Sequence, residues 1–395
     1  MLRRRSKGDR GALRPPPGTT RPPATDPEPP GPPEPPEPPE PPAGAATPDV
    51  RRTYAEVRAA LRDSDGLTAS GDALDLGQRR PLLPLQVDGD RHVTVRSVLD
   101  PVFAPAAVAD REATLRRRAT DLIGSFPTDG VVELNGAFCR QIPVLALLDL
   151  LDLPLREGER IRRFHDGILG PDVAAPARGA VAAEIYAYFD PIVAERRGQI
   201  GPDLIRTLHG AGTELGLLTD DDIVDTCYLL LLAGIDPVAG ALATFTALLA
   251  DDPALHERVA TDPAAMRRTI EEVLRWGSAI TALQRLPTAP PAATPDGSPD
   301  GRVTLSIHAA NHDPTVFADP DRFDPGRAER AHLSFGAGAH RCIGAHLARL
   351  QLRVAIEELH RHLTDLGPAA PEHPRPDAAT VTAGDELWLA FRRRS

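Results

Sequence analysis

The chain has 395 residues, room for one large domain or two ordinary ones, and 41% of them are apolar, enough for a sizeable core. A formal net charge of −11 argues against a nucleic-acid partner, because no surplus of Lys and Arg is available to neutralise phosphates. Cys139, Cys227 and Cys342 are odd in number and far apart, which speaks against a disulfide framework and for a reducing compartment.

Met1 to Lys7 is basic, but no apolar core of a signal peptide follows it. No uncharged run reaches the roughly 18 residues that span a bilayer. The expectation is a cytoplasmic protein with no membrane segment. Pro15 to Pro48 is low-complexity, with a Pro-Glu-Pro-Pro-like repeat from Pro27 to Pro42. Such composition favours extended polyproline conformations and buries no core. Residues 1–50 therefore read as a disordered Pro-rich tail and 51–395 as a single large domain.

Tyr54, Val57 and Leu61 open the folded part as a short helix. A loop rich in Gly, Asp and Pro runs from Asp63 to about Asp90. His92 to Leu99 opens the next helix, and Asp110 to Phe126 predicts another with a basic face. Val131 to Leu155 is apolar and reads as helix throughout, while Ile161 to Arg197 reads as two or three amphipathic helices broken at Gly170-Pro171. Thr219 and Asp222 stand in capping-box positions. They head a long helix predicted to run through Cys227 and Leu232 to about Leu249, with Tyr228 to Ile235 in the core. Asp262-Pro263 gives an N-cap followed by proline at the first helical position. After Trp276 the helical periodicity gives way to strand-like pieces such as Val303 to Ile307, and Glu386 to Phe391 alternates like a strand. The fold class is mainly α with a minor β portion.

His332-Leu333-Ser334-Phe335-Gly336-Ala337-Gly338-Ala339-His340-Arg341-Cys342-Ile343-Gly344 delivers one cysteine to the start of a helix. Backbone N–H groups, the positive helix end and Arg341 each favour the thiolate, the form that ligates metal. On its own the loop also suits a small buried cysteine. A phosphate cradle fits less well, since the Lys-Ser/Thr of a P-loop is missing. The pattern Phe-Gly-x-Gly-x-His-x-Cys-x-Gly resembles the haem-binding loop of the soluble bacterial cytochrome P-450 family. That resemblance covers Tyr54 to the C-terminus and implies the cytochrome P-450 fold, haem b as cofactor and Cys342 as the metal ligand, with Phe335, Gly336 and Gly344 shaping the cofactor-binding loop.

Three further motifs lie in the order the family implies. Glu272 and Arg275 share a helix face and resemble the Glu-x-x-Arg of a structural network that Arg322 completes. His92 and Arg96, with Arg285 and His340, match donors to haem propionates, and charge-assisted hydrogen bonds suit that role. Ala233-Gly234-Ile235-Asp236 resembles the oxygen-activation segment, where small residues open a groove over the iron and an acid, here Asp236, manages protons as the catalytic group. The family's threonine is replaced by Pro237. An interior proline costs around 3 kcal/mol in an ordinary helix, and no hydroxyl remains at that place. A helix and strands that the family carries before the segment at Tyr54 are replaced here by the Pro-rich tract.

The implied activity is a haem-thiolate monooxygenase, an oxidoreductase inserting one oxygen atom from O2 into an apolar small molecule in secondary metabolism. Its expected partners are a ferredoxin-type electron donor with its reductase, docking near Arg341, Arg349 and Arg353. Two alternatives stand beside it: a peroxide-driven haem-thiolate enzyme, and a non-catalytic haem-binding or carrier-docking relative.

Overall fold

Thr53 accepts the Glu56 N–H, and the Glu56 carboxylate accepts the Thr53 N–H, so the first helix, α1 (Tyr54–Ala60), starts with a closed capping box. The computed structural model describes residues 49–70, 75–213, 215–289, 301–370, 378 and 382–394. The expected tail before residue 49 lies outside them. Ordered structure starts earlier than Tyr54, with strand β1 (Asp49–Arg51) paired in parallel with β5 (Val303–Ser306). One strand of the early β portion is therefore present, contrary to the expectation that the Pro-rich tract displaces all of it.

The helices that carry the argument follow in order: α2 (Gly89–Leu99), α3 (Glu112–Gly124), α4 (Gln141–Leu150), α5 (Gly158–Leu169), α6 (Ala175–Glu195), α7 (Asp220–Ala233), α8 (Asp236–Asp251), α9 (Pro263–Gly277) and α10 (Ala345–His362). A four-stranded sheet has the order β1-β5-β4-β2, with β2 at Leu67–Thr68 and β4 at Ala282–Pro287. A three-stranded antiparallel sheet has the order β3-β7-β6, formed by Asp129–Glu133, Trp388–Arg393 and Leu363–Pro368.

The run from Val131 to Leu155 is not helix throughout. Its start pairs with β7 as β3, and a π-turn at Asn135–Cys139 then leads into α4. β-branched Val131 and Val132 fit the pleat, and the C-terminal strand they need lies far off in sequence. Part of the basic face of the Asp110–Phe126 segment is spent inside the fold. Arg116 of α3 donates to Glu358 and Glu357 of α10 at 2.6 Å each, and Glu358 is fully buried.

Two large apolar cores and a smaller one, which packs α1 against β5 and Leu333, are formed among the described residues. Of the large ones, one joins α3, α8, α9, α10 and the three-stranded sheet, and the other joins α2, α4, α5, α6 and α7. The predicted long helix is broken between them. α7 ends at Ala233 and α8 begins at Asp236, so Gly234-Ile235 forms the joint. The capping box at Thr219 and Asp222 is formed as expected, and Asp262 caps α9 ahead of Pro263. Asp220–Asp251 taken whole is apolar enough to cross a membrane by composition, but 72% of its most apolar window is buried in the protein. It serves as the core element between two packed layers.

Candidate active site at the Cys342 loop

The loop between β5 and α10 is held from below by hydrogen bonds that start in α9. Arg275 donates from Nε and Nη2 to the two oxygens of Glu272 at 2.8 Å each, and from Nη1 to the Asn311 carbonyl at 2.8 Å. Asn311 in turn accepts the Leu333 N–H at 2.7 Å and donates to Ser334 Oγ at 2.9 Å. Ser334 closes the circuit by donating to the Leu274 carbonyl at 2.7 Å. The third arginine of this network is Arg327, whose Nε lies 3.4 Å from Glu272 and whose side chain is buried. Arg322 is exposed and offers its backbone carbonyl to Arg327 at 2.8 Å. The expectation for Arg322 is thus corrected. The loop turns Phe323 inward against Trp276 and leaves Arg322 outside.

A second anchor joins Arg349 of α10 to Glu271 at 2.6 and 2.7 Å, with His332 at 3.2 Å on the same carboxylate. Burial pushes the Glu271 carboxyl up, but hydrogen bonds from Arg349 and His332 outweigh it and bring the group from 4.5 down to about 2. A depressed carboxyl contributes stability above its unfolded value and loses it as the pH falls through the folded one. Unfolding free energy from urea titrations is therefore expected to decline between pH 4.5 and about 2, and Glu271→Gln should flatten that decline.

Within the loop, Cys342 donates its N–H to the Phe335 carbonyl at 2.8 Å, and Gly336 donates to Leu333 at 2.8 Å. Gly336 and Gly338 have φ of 66° and 71°. A Cβ on Gly338 would lie 2.4 Å from the Leu61 carbonyl at the end of α1, so backbone packs on backbone there. Arg349 stacks over the Phe335 ring at 4.5 Å. Of the three thiols, Cys139 and Cys227 are buried and Cys342 is exposed. Burial pushes the Cys227 thiol up to about 12 and Cys139 higher still, which leaves both inert. The protein around Cys342 also pushes its thiol up, and this outweighs the Gly344 N–H and the charges of Arg96, Arg341 and Arg349. The expected thiolate-favouring groups are present, but desolvation exceeds them.

Four of the sequence-predicted donors meet beside this loop. The His92 and His340 rings stack at 4.3 Å, and His92 Nε2 is buried with no hydrogen-bond partner. Burial, with His340 and Arg96 alongside, lowers His92 to about 4, so the ring is neutral at pH 7. Arg96 donates to Asp100 at 2.6 Å and to the Arg341 carbonyl at 2.9 Å, which ties α2 to the loop. Arg285 on β4 is buried, and its hydrogen bond goes to the Gln284 carbonyl at 2.8 Å with no carboxylate partner among the described residues. Burial lowers its pKa.

Asp88 was not singled out by the sequence, yet it organises this cluster. It accepts His340 Nε2 at 2.6 Å, the N–H groups of Ala69 and Ser70, and the hydroxyls of Thr68 and Ser70. Burial opposes its ionisation, but these bonds hold the carboxyl far below the usual range. A carboxylate preceding a helix reads as an ordinary N-cap, and the side chain makes no cap bond to α2.

At the start of the predicted oxygen-activation segment, Ala233 is exposed although Leu231 and Leu232 beside it are buried, so the end of α7 is open to solvent. A Cβ on Gly234 would lie 2.7 Å from the Leu230 carbonyl, which makes glycine necessary at the joint. Pro237 sits in the first turn of α8, where no helical N–H is required. The break at Gly234-Ile235 is what accommodates the proline, in keeping with the distended helix that the resemblance implies here. Pro237→Ala is expected to change the unfolding free energy by less than about 1 kcal/mol, checked by denaturant titration, against the roughly 3 kcal/mol of an interior proline. Thr244 faces α9, with its Oγ1 3.5 Å from where a Cβ on Gly277 would stand. Asp236 is half-exposed, and its Oδ1 lies 3.5 Å from His165 Nε2 of α5. His165 was likewise missed by the sequence reading, since only the fold brings α5 to α8.

These features fit a haem. An exposed cysteine in a glycine-broken loop stands beside a neutral histidine nitrogen and a buried guanidinium, neither hydrogen-bonded to a carboxylate among the described residues. The family profile for cytochrome P-450 matches residues 178–364. The cyclomarin C epoxidase CymV of Salinispora arenicola is 31% identical, covering 78% of this chain and 80% of its own. The chain belongs to the cytochrome P-450 family. The mycinamicin IV hydroxylase/epoxidase of Micromonospora griseorubida is 30% identical over 81% of this chain and 83% of its own. Among solved structures, the cytochrome P-450 enzyme CxnD, for C–S bond formation in chuangxinmycin biosynthesis, superposes with a TM-score of 0.76 at 27% identity, over 88% of this chain and 90% of that one. A mutant of EryK in complex with erythromycin B superposes with a TM-score of 0.75 at 28% identity, over the same shares. As a cytochrome P-450 the protein is an oxidoreductase, a monooxygenase of small molecules with haem b as cofactor and electrons from redox partner proteins.

Proposed function

We propose that Cys342 is the proximal ligand of haem b, that His92, Arg96, Arg285 and His340 receive the propionates, and that the enzyme hydroxylates or epoxidises an apolar secondary metabolite. The observation that carries this reading is the convergence beside the exposed Cys342 loop of buried His92 and Arg285, neither hydrogen-bonded to a carboxylate among the described residues. When bound, haem supplies the activation of O2 and its thiolate ligand favours O–O cleavage. The chain's own tasks are then separate. Glu272, Arg275 and Arg327 hold the loop; Ala233 and Gly234 keep the segment small; Asp236 relays protons at its half-exposed carboxyl.

The redox partner in this reading is a ferredoxin-type protein with its reductase, and the compartment is the cytoplasm. Arg349 and Arg353 are spent on Glu271, Glu112 and Glu357, so Arg341, exposed and without a carboxylate partner among the described residues, is the charge left to steer an acidic donor. Pro237 favours a second reading, a peroxide-driven enzyme, because the position carries no hydroxyl. Parallel trials on an apolar substrate panel separate the two. Product with ferredoxin, reductase and NAD(P)H supports the first reading, and product with hydrogen peroxide alone supports the second. A reduced, carbon-monoxide-bound spectrum without the thiolate-type Soret band overturns both.

A further inference from the structure

One buried histidine takes no part in the network below the haem site or in the propionate cluster. His165, near the C-terminal end of α5, is 1% exposed, and its two ring nitrogens face carboxylates on opposite sides. Nδ1 lies 3.1 Å from Asp166 Oδ1, and Nε2 lies 3.5 Å from Asp236 Oδ1. Nε2 is buried without a hydrogen-bond partner. Asp166 and Asp236 have side chains 50% and 44% exposed, so the buried ring bridges two solvent-reached carboxylates, one on its own helix and one in the first turn of α8. Arg140, just before α4, donates to Asp166 at 2.6 Å and fixes that carboxylate. Among the described residues, the charges facing the ring are thus Asp166 on its own helix, Asp236 across in α8, and Arg140 behind Asp166.

A ring with one nitrogen on a carboxylate of its own helix and the other facing Asp236 has the geometry of a two-ended proton carrier. The same ring also stands one residue from the position where the hydroxyl is lacking. We propose that His165, oriented by Asp166, supplies a proton to Asp236 and so compensates for Pro237. In this step the Nε2–H bond breaks and an O–H bond forms on Asp236 Oδ1. The Nδ1–H stays directed at Asp166, and nothing is oxidised or reduced. Asp236 delivers the proton to the oxygen-reducing reaction it serves in the reading above, and the neutral ring regains one at Nε2 from water between turnovers. His165 acts through Asp236 and is a positioning and proton-supplying residue. The inference rests on the reading of Asp236 as the proton-handling group.

The test uses holoprotein labelled with 15N-histidine, reduced and bound to carbon monoxide, with the His165 ring signal identified by its loss in His165→Gln. The expected result is that Asp236→Asn lowers the His165 titration midpoint by about one unit, and that Asp166→Asn lowers it as well. With ferredoxin, reductase and NADPH, O2 consumption by His165→Gln is expected to fall about tenfold or more while the thiolate-type carbon-monoxide band stays unchanged. The wild-type rate should decline as the pH rises through the His165 midpoint, and the variant's profile should be flat across that range. A His165 midpoint indifferent to Asp236→Asn, or a variant rate and pH profile equal to the wild type's, overturns the proposal. If His165→Gln does not fold, the Asp236→Asn titration still decides, with His165 assigned through His165→Asn. A wild-type protein without the thiolate-type band sinks the haem reading instead, which is a separate outcome.

Discussion

Replacing Cys342 by serine is expected to leave a folded protein whose reduced, carbon-monoxide-bound spectrum has lost the thiolate-type Soret band. The loop does not depend on the sulfur for its shape. Its closing bonds run from backbone to backbone, Cys342 N–H to Phe335 and Gly336 N–H to Leu333, and Gly338 is wedged against Leu61. Stability should therefore change by no more than about 0.5 kcal/mol, as for other exposed positions. Chemistry is what changes. A serine hydroxyl does not ionise near neutral pH, so the anionic ligand that favours O–O cleavage is gone and monooxygenation falls to background. Absorption spectra together with circular dichroism check both halves of the expectation. A retained thiolate-type band in Cys342→Ser would falsify the assignment of the ligand.

The second large effect belongs to Glu272→Gln. Arg275 and Glu272 have side chains 1% and 5% exposed, and removing one partner leaves a charge buried without compensation. Breaking such a pair costs about 3–5 kcal/mol. Because Arg275 also holds Asn311, and Asn311 holds Leu333 and Ser334, the damage should reach the cysteine loop and appear as reduced haem content as well as a lower melting temperature. Arg327→Met should move both readouts in the same direction. Arg322→Met should stay within about 0.5 kcal/mol of wild type, since that side chain is exposed. Equal losses for the two arginines would contradict the network described above.

The contrast between these arginines shows where the sequence stops being readable. Glu272 and Arg275 lie three apart on one helix, so their pairing follows from helical spacing alone. Arg327 reaches them from a loop, and a loop's path is decided by packing, here by Phe323 turning onto Trp276. The same division runs through the site. The Cys342 loop, the α2 donors and both helix caps are local patterns and were legible. Asp88 and His165 gain their meaning from partners 252 and 71 residues away, and no local pattern marks them. β3 was misread for a similar reason, since Val131 and Val132 are apolar in either conformation and β7 decides which one they adopt.

The joint at Gly234-Ile235 has a consequence for how this chain can change. Because α8 starts at Asp236, position 237 is a first-turn site that accepts proline or threonine with little difference in folding free energy. Codons for the two amino acids differ in a single base. The fold therefore presents no barrier to exchanging the two residues at this position, in either direction. Selection at this codon then acts through the chemistry of the site and not through the stability of the fold.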